Sequence, residues 1–174
     1  QVSRLDGTPT ITVTGASAFT ATVTLDGQPF VSGTLVTAEA AHVLLVSATD
    51  VFGNNSFRQV RFTLDKSAPV LTLAGVADGA YSRTPVTLTF TATDATATTT
   101  SSTLNGMPIG SGDTVSTEGS YVWVTTATDA AGNSTTQPRT CTLDFTAPVV
   151  SVSGVANGDV RNSAVTISFS ATDA

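Results

Sequence analysis

The chain has 174 residues, of which only 11% are charged against a usual ~25%, and thirteen acids against seven Lys and Arg leave a net charge of −6. Phosphate binding needs clustered cations, so nucleic acid is excluded as a partner, and a basic membrane-binding face is missing for the same reason. No apolar run reaches the roughly 18 residues needed to cross a bilayer, so no membrane insertion of this segment is expected. The opening Gln1-Val2-Ser3-Arg4 has no signal-peptide pattern, so export is encoded elsewhere or absent.

In chain order, the first patterned segment is Thr10 to Thr14, where Ile11 and Val13 share one face of an extended strand. Leu25-Asp26-Gly27-Gln28-Pro29 follows, and its Asp-Gly pair suits the tight turn of a two-residue hairpin. His42-x-Leu44-x-Val46-x-Ala48 is a second alternating strand, ending at Thr49-Asp50-Val51-Phe52-Gly53-Asn54. The segment Leu64-Asp65-Lys66-Ser67-Ala68-Pro69 then closes one cycle.

From there the same events return 79 residues later. Thr128-Asp129-Ala130-Ala131-Gly132-Asn133 repeats the Thr49 turn, and Leu143-Asp144-Phe145-Thr146-Ala147-Pro148 repeats the Leu64 segment. Phe90-Thr91-Ala92-Thr93-Asp94-Ala95 returns as Phe169-Ser170-Ala171-Thr172-Asp173-Ala174. A fixed period of this length marks a tandem array of one small unit. The complete copy predicts seven short antiparallel strands, at 69–76 (A), 84–93 (B), 98–104 (C), 107–109 (C′), 113–117 (E), 120–128 (F) and 135–144 (G). No segment shows a 3.6-residue apolar period, so the expected class is all-β, a two-sheet sandwich repeated end to end. The expected units are 1–65, a repeat lacking its first strand; 66–144, complete; and 145–174, strands A and B only.

Three motifs carry a family likeness: Thr-Asp-x-x-Gly-Asn (Asp50 to Asn54, Asp129 to Asn133), Leu-Asp-x-x-Ala-Pro at the junctions, and Glu-Gly-Ser-Tyr from Glu118 to Tyr121. Through them the whole chain resembles the bacterial immunoglobulin-like (Big, hyalin-like) repeats of large cell-surface or secreted adhesins. The resemblance implies tandem immunoglobulin-like β-sandwiches outside a bacterial cell. The junction agrees, because Lys66, Ser67 and Ala68 before the fixed-φ Pro69 leave little room to swivel, and each repeat would add roughly 30–40 Å. The expected function is a non-catalytic, semi-rigid stalk, fibre or adhesin spacer. The alternative is a module that binds a host or cell-surface glycan or protein.

Chemistry-bearing residues are few. The sole histidine, His42, is Tyr121 in the other copy, so no nucleophile, base and orienting acid can be assembled as a property of the unit, and no enzyme is expected. Cys141 stands where Phe62 stands and reads as a small buried hydrophobe rather than an intermolecular disulfide partner. Trp123 alternates with the core set and is expected inside; Tyr81, between A and B, is the ring expected on the surface, a thin platform for a sugar.

The sharpest site expectation is calcium. Strands B and F run the same way in a sandwich, so Asp94 after B and Asp129 after F lie at the pole where the linker brings Asp65. Hard oxygen ligands gathered at a joint suit Ca²⁺, and the adhesin resemblance implies that role. Asp144 and Asp173 are the equivalents at the next joint and the better pair, since Phe145 replaces Lys66, whose ammonium would neutralise the first cluster. The competing reading has Asp129 capping its own turn, with Asn133 at positive φ.

Both ends fall inside a copy: residues 1–7 align with 80–86, and Ala174 with Ala95. The sequence thus reads as a window on a longer chain with repeats on both sides. The other reading has strand A at 149–155 completing the first repeat of another molecule, a head-to-tail fibre, and bare sheet edges also invite lateral copies.

Overall fold

The computed structural model describes residues 1–173, which form strands, turns and no helix. In chain order the strands are β1 (Val2–Ser3), β2 (Phe19–Leu25), β3 (Gln28–Pro29), β4 (Ala40–Asp50), β5 (Asn55–Leu64), β6 (Val70–Ala74), β7 (Ala80–Ser82), β8 (Val86–Thr93), β9 (Thr98–Leu104), β10 (Met107–Pro108), β11 (Asp113–Val115), β12 (Gly119–Asp129), β13 (Ser134–Leu143), β14 (Val149–Ser153) and β15 (Ser168–Thr172). They make two five-stranded sheets, β1-β5-β4-β2-β3 and β10-β9-β12-β13-β7, a three-stranded sheet β11-β8-β6, and the pair β14-β15.

Alternation explains the central unit. Along β8 the exposed positions are Thr87, Thr89, Thr91 and Thr93, while Leu88 is fully buried. The sheet β11-β8-β6 turns Leu71, Leu73 and Leu88 toward Trp123, Ala127, Cys141 and Leu143 of the opposing β10-β9-β12-β13-β7 sheet. Burying each large side chain of this set stabilises by about 1.5–3 kcal/mol. Trp123, with no exposed surface, donates its indole N–H to Ser102 Oγ at 2.8 Å, and Ser102 Oγ lies 2.8 Å from Thr125 Oγ1. A buried donor is thereby satisfied inside the core. Two facing sheets in this strand order are an immunoglobulin-like sandwich. The Asp26-Gly27 and Asn105-Gly106 turns have φ of 52°, 81°, 49° and 81°, the doubly positive pattern of a tight hairpin.

The expected seven antiparallel strands become eight, and one pairing is parallel. At Gly75, φ is 110°, and a Cβ there would meet Thr87 O at 2.0 Å, so the chain leaves β6 close against β8, where only glycine fits. It crosses to the other sheet and runs as β7, parallel to β13, with Ala80, Tyr81 and Ser82 beside Cys141, Thr142 and Leu143. A three-residue ladder is too short to display an alternation.

In the first unit β4 and β5 repeat β12 and β13, and β1 runs parallel to β5 as β7 does to β13. Its second sheet is reduced to one bridge, Gly7 with Val36, and the strand expected at Thr10 to Thr14 does not form. Pro9 stands where Leu88 stands and has no N–H to give a ladder. In the last segment β14 and β15 pair antiparallel, with every residue exposed, and the strand B reading shortens to Ser168–Thr172.

Candidate functional site

Three strand ends meet where the first unit joins the second. Asp65 follows β5, Asp94 follows β8 and Asp129 closes β12; one carboxylate oxygen from each lies within 4.8 Å of the others. Asp65 and Asp129 are buried and Asp94 half-buried. Asp129 Oδ1 accepts from Asn133 N at 2.8 Å and Oδ2 from Asn133 Nδ2 at 2.7 Å. Asp65 Oδ1 accepts from Ser67 N at 3.2 Å and Oδ2 from Thr96 Oγ1 at 2.8 Å. Asp94 Oδ1 accepts from Ala95 N at 2.7 Å, whereas its Oδ2 is buried without a hydrogen-bond partner.

The electrostatics are uneven. Burial pushes the Asp129 carboxyl up, but the hydrogen bonds from Asn133 and the turn amides outweigh it and hold the group below the ordinary 3.8. Like charges this close repel, and a buried acceptor left unmade costs about 1–3 kcal/mol. The expected neutralising cation is elsewhere: Lys66 Nζ pairs with Asp6 and donates to Thr37 O at 3.0 Å. Three hard oxygen ligands and an orphaned Asp94 Oδ2 fit a divalent cation such as Ca²⁺.

Turn capping and clustering are separable. Asp50 caps the equivalent turn of the first unit, accepting from Phe52 N and Asn54 N at 2.9 Å each, yet Gly15 stands where Asp94 stands. In the second unit Asp129 caps likewise, but the positive φ expected at Asn133 belongs to Gly132, at 90°. Asn133 has another task, for its Nδ2 also donates to Asp65 O at 2.9 Å across the junction. Asp144 and Asp173 form no such group of three among the described residues, and Asp144 Oδ1 caps its own linker through Thr146 N at 3.1 Å.

Glu39 and Glu118 are junction residues beyond those expected from the sequence. Glu39 accepts from Lys66 N and Ser67 Oγ at 2.6 and 2.9 Å, and Glu118 from Phe145 N and Thr146 Oγ1 at 2.5 and 2.8 Å. Their spacing of 79 residues was the available signal. Cys141 is buried, which pushes its thiol up, and Tyr81 is 83% exposed on β7 as a lone ring.

No model of a known protein family matches the sequence, and no curated protein matches it. Among solved structures, the chain is similar to the fibronectin(III)-like modules of Clostridium thermocellum CbhA, with 15% identity and a TM-score of 0.37 over 82% of this chain and 86% of that one. It is also similar to SGBP-B of the Bacteroides ovatus mixed-linkage glucan utilization locus, solved with a mixed-linkage heptasaccharide, with 14% identity and a TM-score of 0.28 over 91% of this chain and 70% of that one.

Proposed function

We propose that the chain is a non-catalytic structural segment of an extracellular or bacterial cell-surface protein, in which immunoglobulin-like units join end to end as a stalk, fibre or adhesin spacer. At the first joint a calcium ion is held by Asp65, Asp94 and Asp129, where it supplies the positive charge that three buried or half-buried carboxylates call for. The observation that carries this reading is the stitching of that joint. Arg4 Nη1 donates to Gly132 O at 3.1 Å, Asn133 Nδ2 to Asp65 O at 2.9 Å, Thr96 Oγ1 to Asp65 Oδ2 at 2.8 Å, and Thr135 Oγ1 to Pro69 O at 2.6 Å. Arg4 and Asp65, the latter just before the three-residue linker, are thus tied to the next unit, and Pro69 just after the linker is held to β13 of its own unit, which supports a joint held at one angle.

Thermal unfolding of the whole chain with calcium and with chelator tests the cation. Calcium at a hundred times its Kd is expected to add about 2.7 kcal/mol, and Asp94→Asn to abolish that response. Without calcium the same substitution removes one of three repelling charges and raises the melting temperature. A melting temperature indifferent to calcium overturns the cation. Saturable binding of the chain on a glycan array overturns the spacer in favour of a recognition module.

A further inference from the structure

The corner before each long central strand is fastened on both sides. In the second unit Tyr121 on β12 donates its hydroxyl to Thr117 O at 2.8 Å, while Glu118 holds Phe145 and Thr146 of the following linker. This ties the corner to its strand and the linker to the corner. In the first unit His42 stands where Tyr121 stands, and its Nε2 reaches Ala38 O, the equivalent of Thr117 O, at 2.9 Å. Glu39 then holds Lys66 and Ser67, and Lys66 Nζ holds Thr37 O.

The replacement changes the chemistry. A tyrosine hydroxyl donates at any pH below about 10, whereas an imidazole donates from both nitrogens only when protonated. His42 Nδ1 lies 2.7 Å from Asp26 Oδ2, so the ring faces a carboxylate on one side and a carbonyl on the other, two groups that only accept. A neutral ring has one N–H and leaves one of these contacts acceptor against acceptor. The other surroundings supply no substitute. Phe62 of β5 covers the ring at 5.0 Å between centroids, Glu39 is turned to the linker, and Lys66 is turned to Asp6 and Thr37 O.

We propose that His42 is a protonation-dependent latch: charged, it holds the corner at residues 37–39 and, through Glu39, the linker at Lys66 and Ser67; neutral, it lets both loosen, while the Tyr121 corner stays fastened. Burial pushes the His42 ring down, but the hydrogen bonds to Asp26 and Ala38 O outweigh it and leave it above the ordinary 6.5; Asp26, held mainly by the His42 hydrogen bond, sits below 3.8. A raised histidine contributes its full stabilisation below 6.5 and loses it as pH rises through the folded value, and a lowered Asp26 keeps its share until strong acid. The latch is therefore closed on the mildly acidic side and open on the alkaline side. It needs no cation and stands apart from the spacer reading.

His42 is the only histidine, so its ring resonances in the whole chain report the titration without assignment ambiguity. Amide hydrogen exchange, corrected for intrinsic rates, is read at Lys66 and at its counterpart Phe145 at about pH 5.5 and about pH 8.5. The expected result is a ring that titrates above the free value and a severalfold loss of protection at Lys66 but not at Phe145. His42→Tyr, which copies the second unit, removes the pH dependence at Lys66, and Asp26→Asn lowers the ring's titration point. A ring that titrates at or below the free value, or Lys66 protection that follows Phe145 at both pH values, overturns the latch.

Discussion

Trp123 and Leu44 occupy equivalent places on β12 and β4, and their surroundings change in step. Around Trp123 stand Ser102 and Thr125, hydrogen-bonded to each other, with the Ser102 oxygen accepting the indole N–H and Arg139 at 5.8 Å from the ring centroid. Around Leu44 the same positions are Val23, Val46 and Val60. One unit has a larger core residue with a polar handle and a small hydroxyl network; the other is apolar at Leu44, Val23, Val46 and Val60. The corner shows the same linkage, since His42 comes with Asp26 where Tyr121 comes with Asn105. Polar atoms enter a sandwich core as sets, because a buried donor without its acceptor costs more than the pair returns.

Emptying the larger core is expected to have the largest effect. Trp123→Ala is expected to destabilise the chain by about 3–5 kcal/mol, read by urea unfolding; a loss below 1 kcal/mol means that the ring does not organise the sheet contact. Ser102→Val strands the indole N–H and should cost about 1–3 kcal/mol in the native background, yet close to nothing when Trp123→Leu is already present. Equal costs in both backgrounds of that double-mutant cycle refute the linked-set argument. The smallest effect fixes the faces of β8: Thr89→Ala should stay within about 0.5 kcal/mol, against about 2–5 kcal/mol for its fully buried neighbour Leu88→Ala. If Thr89→Ala is the worse of the two, the inward and outward faces have been assigned backwards.

Much of this was legible in the chain. The strand expected at 84–93 is β8, and the Asp26-Gly27 pair marked its turn. Parallel running of the strands before Asp94 and Asp129 was enough to bring those acids to Asp65. What stayed hidden depends on partners distant in sequence. Lys66 was expected beside those acids, but Asp6 and the Thr37 carbonyl hold it instead. β7 has three residues and a parallel partner, which leaves no periodic trace. The strand expected at Thr10 to Thr14 has an alternating face, but Pro9 just before it has no donor to give a ladder.

The crossing that β7 makes to the second sheet has a mechanical consequence. Tension applied between residues 66 and 144 would enter through β6 and β7 and leave through β13, pulling parallel neighbours in opposite directions along their length. Thr135, Gln137 and Arg139 of β13 donate side-chain hydrogen bonds to Pro69 O, Leu71 O and Val76 O at 2.6, 3.0 and 2.5 Å. Rungs lying across the direction of pull are loaded together, so extension is expected to shear them as a group instead of peeling them singly.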